Sequence, residues 1–383
     1  MTKERLIYVM AFVMDGCFGL VGLSVLLLAV SLGAQYDELG IIGATGASVY
    51  AVCCLATGSV LKRWSHRKTA AASAAGIVFC FAAYTLVASV WHIVLVSAAV
   101  GLVLSAFWPT MQSWVAKGNS GERLIRILGK FNISWGAGVM AGPALGGQLF
   151  AMDPHLPFTL CSIVVVGVFL TLAFSRPGTA DRDEQPESQN IPTDRRFLTV
   201  SWIANFATFF ATGLVRSLFP KFATDAGVSP GLLGQMMAIV GLAQVVSFYL
   251  VSRSGWWQNR LGPMIIIQCL GAGGLILIAC SDSILLLSLS LASVGLLIGA
   301  TFTWSMFYSL RSPSRSRSRA GIHEAIVGSG FLFGPLLGGL CAEHVSPIAP
   351  YLLGAVVICL VAVVEVIFIL SSDAETPVTA VQD

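Results

Sequence analysis

One ten-residue pattern limits what this chain can fold into more than any other. Gly138, Gly142, Pro143, Gly146 and Gly147 spell G-xxx-G-P-xx-G-G inside an apolar run. The pattern returns 192 residues later as Gly330, Gly334, Pro335, Gly338 and Gly339, about half a chain length on. Glycines at i and i+4 strip one helix face of side chains, so a neighbouring helix can approach backbone to backbone. The proline removes a helix hydrogen bond and bends the helix. In lipid such a bend persists only where other helices or internal water cover the freed carbonyl. The expectation is a once-duplicated membrane bundle with a closely packed, glycine-lined helix in each copy.

Composition supports lipid as the solvent. The 383 residues are 56% hydrophobic and only 11% charged, with a mean hydropathy of +0.83. A soluble domain carries about 25% charged residues. The net charge of +3 does not point to nucleic acid, because the basic residues are spread over short loops. All nine cysteines fall inside or beside apolar stretches and none forms C-x-x-C, so they read as small apolar packing groups. Lys3 and Arg5 precede an apolar run like the start of a signal peptide, but that run, 6–32, is too long for one and reads as the first helix.

A spanning helix needs about 20 mostly apolar residues. That length predicts twelve segments: 6–32, 40–61, 69–89, 92–116, 128–150 and 157–175, then 197–220, 231–252, 263–281, 284–310, 321–342 and 350–370. Two six-helix bundles, 1–175 and 197–370, are expected on either side of a polar linker, 176–196, with a disordered tail at 371–383. With the N-terminus in the cytoplasm, twenty of the 22 Lys and Arg residues fall at inner loops or ends. The other two, Arg216 and Lys221, belong to the seventh helix. The expectation is a multi-pass protein of the cell membrane with both termini cytoplasmic.

The duplication runs beyond the glycine motif. Arg5-Leu6 matches Arg196-Phe197, and Gly40 with Gly43 lines up with Gly231 and Gly234, each at a shift of 191. Two halves in the same orientation are parallel repeats. These features resemble the major facilitator superfamily over nearly the whole chain, and the motif on Gly138–Gly147 is similar to the "antiporter" motif of its drug exporters. The family's loop between helices two and three, G-x-L-x-D-R-x-G-R-[RK], has its counterpart in Gly58–Arg67. Gly58, Arg63 and Arg67 are kept; Lys62 stands at the acidic position and Ser65 at the second glycine. The resemblance implies an all-α fold of twelve transmembrane helices in two parallel six-helix repeats, and an inner gate around Gly58, Arg63 and Arg67.

Several polar residues interrupt the apolar runs. Asp15 lies mid-helix in the first segment. A carboxyl there either faces a cavity, where it can bind and release a proton, or sits near the inner interface or pairs locally with a backbone group. Arg216 either holds an anionic group bidentately or snorkels to the outer headgroups; Lys221 reads as snorkelling. Asn205 is a cavity hydrogen-bonder or interhelical glue. Trp108 and Gln112, four apart, share a helix face and either line the cavity or pack, as Trp114 and Trp304 do. Asn132 and Glu324 are repeat partners, 192 apart, and serve an inner gate or cap their helices. Glu365 reads as interfacial. The run Ser312–Arg319 reads as an inner basic anchor.

No P-loop, G-x-S-x-G or H-E-x-x-H occurs, and the five histidines have no ligand spacing, so no cofactor, metal or catalytic chemistry is expected. The chain reads as a secondary transporter: a monomer in the bilayer that moves a small molecule by alternating access, with export against protons as the sharper expectation. Uptake or facilitated movement of an organic anion, and a non-transporting sensor or scaffold on the same fold, stand as the alternatives. Reporter fusions inserted near 185 and at 380 should surface on the same side of the membrane; opposite sides would overturn the even-numbered layout.

Overall fold

The computed structural model describes residues 3–60, 64–119, 121–174, 194–253, 255–311 and 316–374. Twelve helices and no strands occur among them. They are α1 (Lys3–Ser31), α2 (Tyr36–Val60), α3 (His66–Tyr84), α4 (Val90–Ala116), α5 (Gly121–Met152), α6 (Leu156–Phe174), α7 (Arg195–Asp225), α8 (Pro230–Ser252), α9 (Leu261–Cys280), α10 (Ile284–Leu310), α11 (Ser316–His344) and α12 (Ala349–Ala374). Ten are long and apolar enough to cross a membrane. The other two are α3, which opens on His66, Arg67 and Lys68, and α5, which is rich in glycine. Arg63, most of the linker (175–193) and the end of the tail (375–383) lie outside the described residues. Gly58 falls in the last turns of α2.

Several helices run past their expected ends. α5 starts at Gly121 rather than 128, α11 at Ser316 rather than 321, and α7 continues through Pro220 to Asp225. Hydropathy registers only the part of a helix inside hydrocarbon, and these extensions carry Arg123 and Arg126, or Lys221 and Asp225, which water can reach. Ser65, Ser89, Asp194 and Ser229 cap α3, α4, α7 and α8, each accepting a backbone N–H of the first turn. Neither Asn132 nor Glu324 is a cap, since both lie more than a turn inside their helices.

The start of α1 and the end of α12 lie at the same end of the bundle, here called the inner end after the expected distribution of positive charge. The glycine motif does the same work in both halves. A Cβ at Gly138 would stand 2.7 Å from Gly16 N, at Gly142 2.7 Å from Leu20 N, and at Gly146 2.7 Å from Leu20 O, all backbone of α1. In the second copy, a Cβ at Gly330 would stand 2.7 Å from Phe210 N and at Gly338 2.9 Å from the Leu218 side chain, while Gly334 abuts the Phe210 carbonyl, all on α7. The last glycine turns to the other half. Gly147 faces Pro230 and Gly234 of α8, and Gly339 faces Tyr36 and Gly40 of α2, with its Cβ position 2.6 Å from Tyr36 O. α5 and α11 therefore bind their own half along one face and the opposite half along the next. Large side chains such as Phe79, Leu95, Ile266, Leu360 and Ile367 point outward and are exposed, as lipid contact requires.

Two expectations about charge are corrected. Glu365 is not interfacial: it is 0% exposed and accepts a 2.7 Å hydrogen bond from Gln268 Nε2 of α9. A carboxyl facing lipid would be unsolvated, so it turns to the one amide its neighbour offers. Lys221 does not merely snorkel. It pairs with Asp225 at 3.3 Å and sits 5.1 Å over the Tyr36 ring. The Tyr36 hydroxyl donates to Asp225 (3.0 Å), and its N–H donates to Glu343 (3.3 Å). This cluster joins the halves at the outer end.

Gly142→Leu should cost about 1–3 kcal/mol of stability, because backbone on both sides must move. Gly22→Ala, with nothing within 4 Å of the new methyl group, should change it by less than about 0.5 kcal/mol. Thermal unfolding in detergent measures both; equal losses would refute the close-approach account.

Candidate functional site

A cavity of about 400 Å³ lies between the halves, in the size range of sites for small organic molecules. Helices from both halves line it, and the lining is mostly apolar and aromatic, with Phe18, Phe81, Trp135 and Phe331 among its rings. Trp135 packs edge-on against both Phe248 and Phe302, with centroids 5.0 Å away.

Among the described residues, three charged side chains reach this cavity: Asp15 of α1, Arg216 of α7 and Glu324 of α11. At 1.5 Å rise per residue they stand about 18, 32 and 12 Å from the inner starts of their helices, so they step through the bilayer with Asp15 in the middle. Asp15 and Arg216 keep part of their surface accessible despite this depth, and the accessible part faces the cavity. The Arg216 guanidinium also lies 5.8 Å over the Phe331 ring. Arg216 thus points inward rather than snorkelling.

Glu324 is 4% exposed and touches three groups. The Tyr50 hydroxyl of α2 donates to one carboxylate oxygen, and Gln112 Nε2 of α4 donates to the other. His323 Nε2 stands 3.8 Å from the same carboxylate, while His323 Nδ1 bonds Ser305 of α10 at 2.7 Å. Asn132 bridges the halves on the other side: its Nδ2 donates to Thr303 Oγ1 of α10 (3.4 Å), and its Oδ1 accepts Trp135 Nε1 (3.2 Å).

Trp108 and Gln112 both line the cavity. Asn205 does not: it is 0% exposed, and neither of its side-chain polar atoms finds a partner among the described residues. Trp114 stacks on His66 at 6.4 Å and Trp304 packs on Trp257 at 6.0 Å, so both are packing groups. Arg67 donates to the Ala173 carbonyl of α6 at 3.3 Å, a contact within the first half. Tyr50 and Gln244 escaped the sequence reading. Gln244 lines the cavity at 0% exposure with both amide atoms unpartnered among the described residues. A glutamine in the middle of an apolar segment was its one signal. Among the described residues, no three His, Cys, Asp or Glu side chains cluster to hold a metal.

An aromatic cavity between two repeats, reached by acid and base from opposite halves, is the architecture of a membrane carrier. The Major Facilitator Superfamily profile matches residues 7–320, and the chain belongs to that family of transporters. It is 28% identical over 146 residues to the class D tetracycline resistance protein of Salmonella ordonez, an alignment spanning 37% of either chain. It is 29% identical over 160 residues to the quinolone resistance protein NorA of Staphylococcus aureus, spanning 39% of either chain. The chain thus matches well under half the length of these relatives. The crystal structure of the human organic anion transporter MFSD10 (TETRAN) superposes with a TM-score of 0.69 at 16% identity, covering 95% of this chain and all of that one.

Asn205→Leu should raise stability by about 1–2 kcal/mol, since it removes two unmet buried polar atoms at similar volume. It should leave solute binding unchanged. Thermal unfolding and a binding isotherm check the two halves of this prediction.

Proposed function

We propose that this protein exports a small amphiphilic solute against protons by alternating access, with Asp15 as the proton-coupling site. The carrying observation is the charge balance of the cavity: among the described residues lining it, one guanidinium faces two carboxyl groups. In a low-dielectric interior an uncompensated carboxylate is costly. One of the two therefore gains from taking up a proton or a cationic group of the solute, and these compete. Such competition is what exchange needs. The apolar rings around it suit an amphiphile, and the resistance proteins among the relatives support export. The halves 1–175 and 197–370 rock against one another, with α5 and α11 as sliding contacts because each faces both halves through bare backbone. The protein acts as a monomer in the cell membrane, with cytoplasmic termini and no enzymatic chemistry.

A second reading is supported by Arg216, whose guanidinium reaches the cavity over Phe331: carriage of an organic anion. Proteoliposome assays separate the two. On the export reading, Asp15→Asn abolishes solute-driven proton flux; unchanged coupling would remove Asp15 from the mechanism. On the anion reading, Arg216→Gln removes binding of acidic solutes and spares neutral ones. Equal loss of both would count against it. Crosslinking at only one end of the bundle under every condition would favour a non-transporting scaffold.

A further inference from the structure

The two inner contacts between the halves are related by the internal repeat. Glu324 corresponds to Asn132 at a shift of 192, and Thr303 to Gln112 at a shift of 191. On one side Gln112 of α4 meets Glu324 of α11; on the other, Thr303 of α10 meets Asn132 of α5. The pair is two-fold in position but unequal in chemistry. Asn132 is satisfied on both amide atoms, by Thr303 and Trp135, and has nothing to titrate. Glu324 carries a carboxyl that lines the cavity, so a proton in the cavity reaches it.

On the proton-coupled reading above, we propose that Glu324 is a second proton-binding residue, one that governs the inner contact. Its protonation loosens α2 and α4 from α11, while the Asn132–Thr303 contact persists. The step is a simple addition: a cavity proton binds a carboxylate oxygen of Glu324, an O–H bond forms and the negative charge is neutralised. The hydrogen bonds from Tyr50 and Gln112 are charge-assisted only while that oxygen pair is ionised, and such bonds are roughly twice as strong as neutral ones. When the proton binds the oxygen that accepts from Gln112, that oxygen becomes a donor facing the Gln112 N–H, so that bond breaks or the amide turns. Gln112 Oε1 has no partner among the described residues and is available to receive the proton after turning. Opening at the inner end would thus begin on one side of the cavity and hinge on the other.

Beside Glu324 itself, the titratable groups at this contact are Tyr50, Cys54 and His323, whose Nε2 stands 3.8 Å from the carboxylate. α2 presents Tyr50 and Cys54, whose thiol bonds the Ser105 carbonyl. α4 presents Gln112, and α10 presents Ser305, which bonds the neighbouring His323. α1 contributes Asp15 and α7 contributes Arg216, both farther along the cavity. The carboxyl of α12, Glu365, is bonded to Gln268 of α9 instead.

Hydrogen–deuterium exchange on the full chain in detergent, without solute, tests this at a mildly alkaline and a mildly acidic pH. Segments 125–132 and 303–310 in the same sample correct for the intrinsic effect of pH. Wild type should show a several-fold rise in corrected exchange over 110–116 and 318–324 on acidification. Glu324→Gln should sit at the acidic level at both pH values. A pH response retained in Glu324→Gln, or equal loosening of both sides, overturns the proposal. If Glu324→Gln does not yield folded protein, Tyr50→Phe and Gln112→Leu decide: each should raise exchange over the two segments at alkaline pH, and unchanged exchange overturns it. Exchange reads conformation alone, so a negative result here leaves the Asp15 flux assay to judge the transport reading separately.

Discussion

Two helices that meet in hydrocarbon expel no water, so apolar surface alone does not hold them together. What remains is close backbone contact and the occasional polar bond. In this chain the first is concentrated on α5 and α11. Their glycine rows let α1 and α7 in along one face, and the single glycine after each row, Gly147 or Gly339, touches the other half. A side chain anywhere along these rows would separate helices that otherwise share only a few polar contacts, such as Tyr8 with the Ile127 carbonyl and Glu4 with Arg123. The same bare surfaces offer no side-chain interdigitation to resist sliding. A contact that is tight but smooth is what a carrier needs between parts that move.

Polar groups divide by the same solvent rule. Those on the lipid side must find a partner in a neighbouring helix, as Glu365 finds Gln268. Those on the cavity side can stay partly unmet, because a solute or water completes them. Gln244 and the second amide atom of Gln112 are of that kind. Polar bonds between the halves are few and lie towards the ends: Tyr36 with Asp225 and Glu343 at the outer end, Glu324 and Asn132 with their partners nearer the inner end. The stretch between them is left to aromatic rings, to Asp15 near its middle and to Arg216 farther out.

Much of the fold was legible in the chain: the twelve apolar runs, the repeat at 191–192 and the close-packing glycines all stand in the order of the residues. The helix ends were less so, since α5, α7 and α11 extend into water where hydropathy falls silent. The site was legible only in part. Asp15, Arg216, Trp108 and Gln112 reach the cavity, but Asn205 looked just as suitable on α7 and is enclosed elsewhere. Tyr50 looked like any aromatic of a membrane helix, and Glu324 read equally as part of an inner gate or as a helix cap.

The reason lies in the solvent. In water, a buried face is apolar and an exposed face polar, so periodicity tells which way a side chain points. In lipid both faces are apolar and that signal vanishes. The sequence by itself determined how many times the chain crosses, that it does so as two like halves, and which rare polar groups must be accommodated, because these follow from transfer free energies of whole segments. Only the tertiary structure decided which of those groups meet, because rotation about a helix axis is chosen by packing against neighbours far away in the chain.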